Sequence, residues 1–151
     1  MSDIYFEITD AGDLIRIEPF HLTNPKAQLD WDRNWIKTKV TVKGGVFSGE
    51  FVGEFMTTDF EIFKRQLKKL DQDFNATATF QPLEQQLTLK IKGDGLGHFD
   101  VDCEAAPQSH LGQTLTFSMN FDQTYIKELV KQLDKITKAF PINGDFEIHD
   151  E

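Results

Sequence analysis

The chain has a single cysteine, Cys103, in 151 residues, so no internal disulfide is possible. Nor does any stretch approach the roughly 18 consecutive apolar residues that a membrane helix needs. The first residues, Met-Ser-Asp-Ile-Tyr-Phe, carry neither the basic segment nor the apolar run of a secretory signal, and the expected location is therefore cytoplasmic. Positive charge is scarce too: 16 Lys and Arg stand against 25 Asp and Glu, a formal net charge of -9. An overall negative field repels phosphates and offers no counterion release, which argues against nucleic acid and for a basic partner. At this length one domain spanning residues 1–151 buries about two thirds of its unfolded surface without covalent staples. Its acidic end, residues 144–151, reads as a mobile tail.

Recognisable catalytic machinery is missing as well. Gly93-Asp94-Gly95-Leu96-Gly97 runs from one strand pattern into another, with no helix N-terminus behind it to supply the N–H groups that cradle phosphate. Gly45-Val46-Phe47-Ser48-Gly49 lacks the spacing of a nucleophile elbow. Cys103 falls on the apolar face of its strand, where a thiol is inert and its pKa moves up. His21, His110 and His149 are isolated. No catalytic residue, cofactor or bound metal is expected.

What the chain does have is periodicity. Apolar residues alternate with polar ones around Ile4–Ile8, Ile15–Ile17, Ile36–Lys43, Phe47–Phe55, Ala76–Gln81, Leu87–Lys92, His98–Glu104 and Leu115–Phe121, the pattern of half-buried strands. In the fourth of these, Phe47, Phe51 and Phe55 share a face with Gly49 and Gly53. Thr58-Asp59-Phe60-Glu61 reads as a capping box opening a helix whose apolar stripe is Phe60, Phe63, Leu67 and Leu70. A second helix, starting near Asp122 or Thr124 and ended by Pro141, turns Ile126, Leu129, Leu133 and Ile136 inward. Slid along itself, the chain matches Phe51, Phe55, Thr58, Gln66, Leu67, Lys69 and Phe74 to Phe117, Phe121, Thr124, Gln132, Leu133, Lys135 and Phe140. The expectation is an α+β fold, an antiparallel sheet of about eight strands with two amphipathic helices on one face, built from a repeated strand-strand-helix unit.

Three features carry the functional reading. The loop Asp30-Trp31-Asp32-Arg33-Asn34-Trp35 holds both tryptophans. A large aromatic is usually mostly buried, so at least one ring is expected to plug the core, while strand register turns Trp35 to the face of Lys37 and Lys39 and leaves it exposed. The strand His98-Phe99-Asp100-Val101-Asp102-Cys103-Glu104 turns His98, Asp100, Asp102 and Glu104 outward. Same-face residues about 6.6 Å apart along one strand would need a further ligand from a neighbour to hold a metal, so the row reads as a solvated acidic face. Lys64, Arg65, Lys68 and Lys69 on one helix, and Lys127, Lys131, Lys135 and Lys138 on the other, read as solvated faces, since exposed aromatics do not interleave them.

Asp32-Arg33-Asn34-Trp35-Ile36 leading to Lys39-Val40-Thr41-Val42, then Phe47-Ser48-Gly49-Glu50, Gly93-Asp94-Gly95-Leu96-Gly97-His98 and Asp122-Gln123-Thr124-Tyr125, resemble the WapI-type immunity proteins over about residues 4–142. The resemblance implies a small cytoplasmic protein that stoichiometrically neutralises the toxin domain, a nuclease, of a bacterial contact-dependent or wall-associated toxin. It implies no enzyme activity, no cofactor, and a basic protein partner rather than nucleic acid or membrane. Candidate partner-binding residues on this reading are Asp32 and Trp35 of the loop, Glu50 and Glu54 of the fourth strand, and His98, Asp100, Asp102 and Glu104. Two other classes stand beside it: an intracellular small-molecule module using the Trp loop as an aromatic platform, and a metal-dependent hydrolase on the His98 row.

Overall fold

The computed structural model describes residues 3–108, 111–145 and 148. Eight strands and two helices form in the order β1 Phe6–Asp10, β2 Asp13–Leu22, β3 Trp35–Gly44, β4 Phe47–Met56, α1 Thr57–Gln72, β5 Thr77–Phe80, β6 Leu87–Gly93, β7 His98–Ala105, β8 Leu115–Asp122 and α2 Ile126–Ala139. The expected α+β fold is present, with its strands divided into two four-stranded antiparallel meanders, β1-β2-β3-β4 and β5-β6-β7-β8. The repeated unit is thus four strands and a helix. The expected tail falls partly on residues 146, 147 and 149–151, which lie outside those described, as do His110 and His149.

Each sheet buries its alternating apolar face. Ile8, Ile15, Ile17, Ile36 and Val40 from the first sheet join Phe80, Leu89, Ile91, Val101 and Met119 from the second in a single core with the helix stripes. Phe60, Phe63, Leu67, Leu70, Leu129, Leu133 and Ile136 are each at most 1 % exposed. Phe55, Phe60, Phe63 and Phe80 form an aromatic cluster where α1 meets both sheets, with ring centroids 5.4–6.4 Å apart. Phe51, Phe117 and Phe121 pack on the core's margin, partly buried, whereas Phe47 is 65 % exposed. The apolar face of β4 therefore leaves the core toward its hairpin tip.

Two local expectations are corrected. The capping box of α1 is not Thr58 with Glu61. Asp59 instead reaches back to the backbone N–H of Met56, 2.8 Å away, so the helix starts straight out of β4 with no connecting loop. Thr57 is spent elsewhere, its hydroxyl donating to the Asn34 carbonyl. Lys64 does not lie on a solvated face: it is 8 % exposed, with its ammonium 3.0 Å from both Glu61 and Thr137 and 3.7 Å from Asp134. A long side chain on the rim of the α1–α2 contact buries its stem and finds partners on the facing helix. The second helix opens as expected, Asp122 accepting from the Thr124 N–H at 3.0 Å before one 3-10 turn leads into α2.

The repeat is written into the hydrogen bonds that close the sheet edges. Gln66 of α1 accepts from the Thr79 N–H of β5 at 2.7 Å, and its counterpart Gln132 of α2 accepts from the Glu7 N–H of β1 at 2.9 Å. Each helix thus seals the outer strand of the other unit's sheet. The last strands are held the same way: the Glu54 N–H donates to Gln86 and the matching Asn120 N–H donates to Asp10. An unpaired edge amide is a template for unwanted pairing, and a side-chain acceptor removes it.

Candidate functional site

A buried amide anchors the Trp loop. Asn34, fully buried, accepts from the Asn143 backbone N–H at 2.7 Å and donates back to the Asn143 carbonyl at 3.1 Å, tying the loop to the segment after α2. Neither tryptophan belongs to the buried core: Trp31 is 44 % exposed and Trp35 is half-buried beside Met56 of β4. The expected order of exposure is thereby reversed. Asn34 was visible in the sequence, but its partner lies over a hundred positions away and no local pattern announces it.

The eight candidate residues divide between the sheets. Asp32 and Trp35 lie at the entry to β3, and Glu50 and Glu54 are exposed on β4, opposite Thr41 and Lys37. His98, Asp100, Asp102 and Glu104 are all exposed on β7, as strand alternation requires. The β7 row is not a bare acidic stripe. Lys92 stands opposite Asp100 and Lys90 opposite Asp102 on β6, while Ser118 of β8 donates to Asp102 at 2.8 Å. On β4, Glu50 meets Lys39 at 3.5 Å in an exposed pair.

His98 and the glycine-rich segment before it have a structural role. Asp94 accepts from the N–H groups of Leu96 and His98 and faces the His98 imidazole at 3.1 Å; these N–H groups hold its carboxyl below the usual range. Gly97 has φ +96°, in the left-handed region glycine tolerates, and its carbonyl receives the Gln123 N–H that starts the turn into α2. At Gly93 any side chain would collide with the Phe74 carbonyl. Among the described residues no group of three or more His, Cys, Asp or Glu is placed to hold a metal ion. Cys103 is buried, and burial with the nearby Glu104 charge pushes its thiol up to about 12. Asp59 is pushed up to about 6 by burial, against the opposing pull of the Met56 N–H.

Two cavities flank β4, and no local pattern in the sequence points to them. One, of about 520 Å³, lies between Phe47, Phe51 and Val42 of the first sheet and Ala105 and Leu115 of the second, with Pro107 from the segment that joins β7 to β8. The other, of about 530 Å³, is lined by Val52, Gly53, Glu54, Glu84, Gln86 and Leu111. Trp31 and Trp35 line neither of these two cavities. Among the described residues no helix is long and apolar enough to cross a membrane.

No curated protein matches the chain. Among solved structures, a guide-RNA-binding protein complex bound to a guide RNA is similar with a TM-score of 0.50 and 10% identity, covering 89% of this chain and 90% of that one. A Trypanosoma MRP1/MRP2 structure has a TM-score of 0.49 and 11% identity, covering 91% of this chain and 86% of that one. At such identity the first likeness shows a shared fold and nothing of function, and the second is too slight to carry an argument. The family model of the immunity protein WapI-like family matches residues 6–141, from the start of β1 to just past the end of α2, and the chain belongs to that family.

Proposed function

We propose that this protein is a cytoplasmic immunity protein that binds and stoichiometrically neutralises the toxin domain of a bacterial contact-dependent or wall-associated toxin, a nuclease with a basic substrate groove. The observation that carries the reading is the family match across residues 6–141. The net charge of -9 and the carboxylates of Glu50, Glu54, Asp100, Asp102 and Glu104 on exposed strand positions support it. A nuclease needs a basic groove for phosphates, and an acidic, preformed protein surface competes for the same field. The partner is accordingly protein rather than nucleic acid. Asp32 and Trp35 add a contact beside the β3–β4 face, where the half-buried indole loses less freedom on binding than a fully mobile side chain.

The mechanism separates rate from lifetime. Exposed charges steer encounter, and desolvated apolar contacts set dissociation. Replacing Asp100 and Asp102 by Asn in the full chain is expected to slow association with its cognate toxin domain, and to flatten the salt dependence of that rate, without setting like charges against Lys92 and Lys90. Association measured at two salt concentrations checks this. An unchanged rate removes β7 from the steering surface.

A further inference from the structure

We propose that the cavity between α1 and β5 receives the guanidinium of an arginine side chain from the toxin domain, paired with the Asp59 carboxylate. This site rests on the toxin reading above and narrows it to one contact.

The internal repeat shows what the place lacks. The Glu7 N–H of β1 donates to Gln132 of α2 at 2.9 Å, and the Glu7 carbonyl accepts from the Tyr125 hydroxyl at 3.0 Å. At the other helix Gln66 accepts from the Thr79 N–H of β5, so Thr79 holds the position of Glu7. Antiparallel alternation turns the Thr79 carbonyl out on the same side as its N–H. Since Thr58 and Gln66 match Thr124 and Gln132, the counterpart of Tyr125 is Asp59, a much smaller side chain. A cavity of about 490 Å³ stands there, lined by Asp59, Ile62, Gln66, Thr77, Thr79 and Gln81. One half of the molecule supplies a planar donor from its own chain, and the other leaves the space for it.

The same exchange puts a carboxyl where the phenol would be. Burial pushes Asp59 up to about 6 against the pull of the Met56 N–H, and no neighbouring charge contributes. The charged groups on the surrounding elements lie elsewhere. Arg65 of α1 pairs with Glu61, Lys69 follows Gln66 by three positions, Glu54 ends on β4, and Lys92 and Lys90 of β6 stand opposite Thr77 and Thr79. None of them lines the cavity, where Asp59 is the one titratable group among the described residues. A partly desolvated carboxylate without a cation gains most from a charged donor brought in from outside. It has about four lone-pair sites, and the Met56 N–H occupies one.

The rest of the lining selects among cations. The carboxamides of Gln66 and Gln81, the hydroxyls of Thr77 and Thr79 and the Thr79 carbonyl spread acceptors around the carboxyl. A guanidinium is planar, like the phenol of Tyr125, and its fixed fork of donors meets several acceptors at once, whereas an ammonium is a compact, strongly hydrated point charge.

The experiment uses the full chain, its cognate toxin domain, and argininamide and lysinamide as small probes. Asp59→Asn keeps an acceptor for the Met56 N–H and removes the charge. It is expected to weaken toxin binding at least about tenfold at about pH 8, with the difference closing toward about pH 5, where the parent carboxyl is itself protonated. In the unmodified complex the Asp59 carboxyl carbon, followed by NMR, is expected to stay ionised at pH values where the free chain has taken up the proton. Millimolar argininamide is expected to shift that signal more than lysinamide does. Tight toxin binding with Asp59 titrating as in the free chain overturns the site and leaves the toxin reading standing. Failure of the unmodified chain to bind its cognate toxin domain overturns both. An equal response to the two probes, or none, removes the guanidinium, and micromolar binding of argininamide alone makes the ligand a free small molecule; each overturns the proposal.

Discussion

The two halves of the molecule share a plan and differ in how fully it is closed. Gln66 and Gln132 make the same bond from helix to opposing sheet, and Glu54 and Asn120 are tied at the same position of their strands. At the next matched pair the halves part. Tyr125, at the entry to α2, donates its hydroxyl to the Glu7 carbonyl and seals β1, whereas its counterpart Asp59 borders a cavity of about 490 Å³ against β5 with Thr77 and Thr79. Phe117 packs on Gly44 and borders a cavity of about 520 Å³, and Phe51 borders one of the same size. What the halves keep in common is what the fold needs, namely stripes, edge acceptors and ladders. Where they diverge is in how each helix entry meets the opposing sheet, by the Tyr125 hydroxyl on β1 and by a cavity beside Asp59 on β5.

The common part is broken by cutting the stripes. Leu67→Ala and its counterpart Leu133→Ala each delete a fully buried side chain from the one shared core, and each is expected to cost about 2–5 kcal/mol in denaturant unfolding. A value below about 0.5 kcal/mol in either, the size of a surface effect, would remove that helix from the core.

The divergent part is sharpened by adding a methyl on each side of the β3–β4 hairpin. At Gly44 the new Cβ meets Phe117 at 2.7 Å, and Gly44→Ala is expected to destabilise by about 1–3 kcal/mol. At Gly49 the nearest contact is Val42 at 4.0 Å, so Gly49→Ala should lie within about 0.5 kcal/mol of the parent. Equal effects would mean that the two niches are equally packed.

Asp59 offers the smallest and most selective test. Its carboxyl is raised from 3.8 to about 6 by burial, so the folded state binds its proton more tightly than the unfolded state. The group therefore favours folding below the unfolded pKa, and that contribution is lost as pH climbs from about 4 through 6. Asp59→Asn should gain about 1–3 kcal/mol over the parent at pH 7, the upper figure being discounted for partial exposure, with the gap closing toward pH 4. A gap that stays constant with pH would assign the effect to the cap alone.

Much of this was legible because period is local. The stripes Phe60-Phe63-Leu67-Leu70 and Leu129-Leu133-Ile136, the outward row of β7 and the buried Cys103 all follow from three- to four-residue and two-residue spacing, and all stand in the fold. Alternation tells which face of a strand is buried but not which sheet the strand joins, so the division into two meanders was out of reach. For the same reason β4 could not be read as an edge. Lys64 and Asn34 carry polar side chains whose burial depends on Thr137 and Asn143, partners set by tertiary contact and not by neighbours in sequence. The two tryptophans drew attention by size, while the smaller amide between them holds the loop.

The central claim is the proposed stoichiometric neutralisation, and titrating the activity of a cognate toxin domain with the full chain tests it most directly. The account predicts activity falling linearly to zero at one equivalent and staying there with time. Undiminished activity at excess protein, or inactivation that progresses at a small fraction of an equivalent as an enzyme would produce, would contradict it.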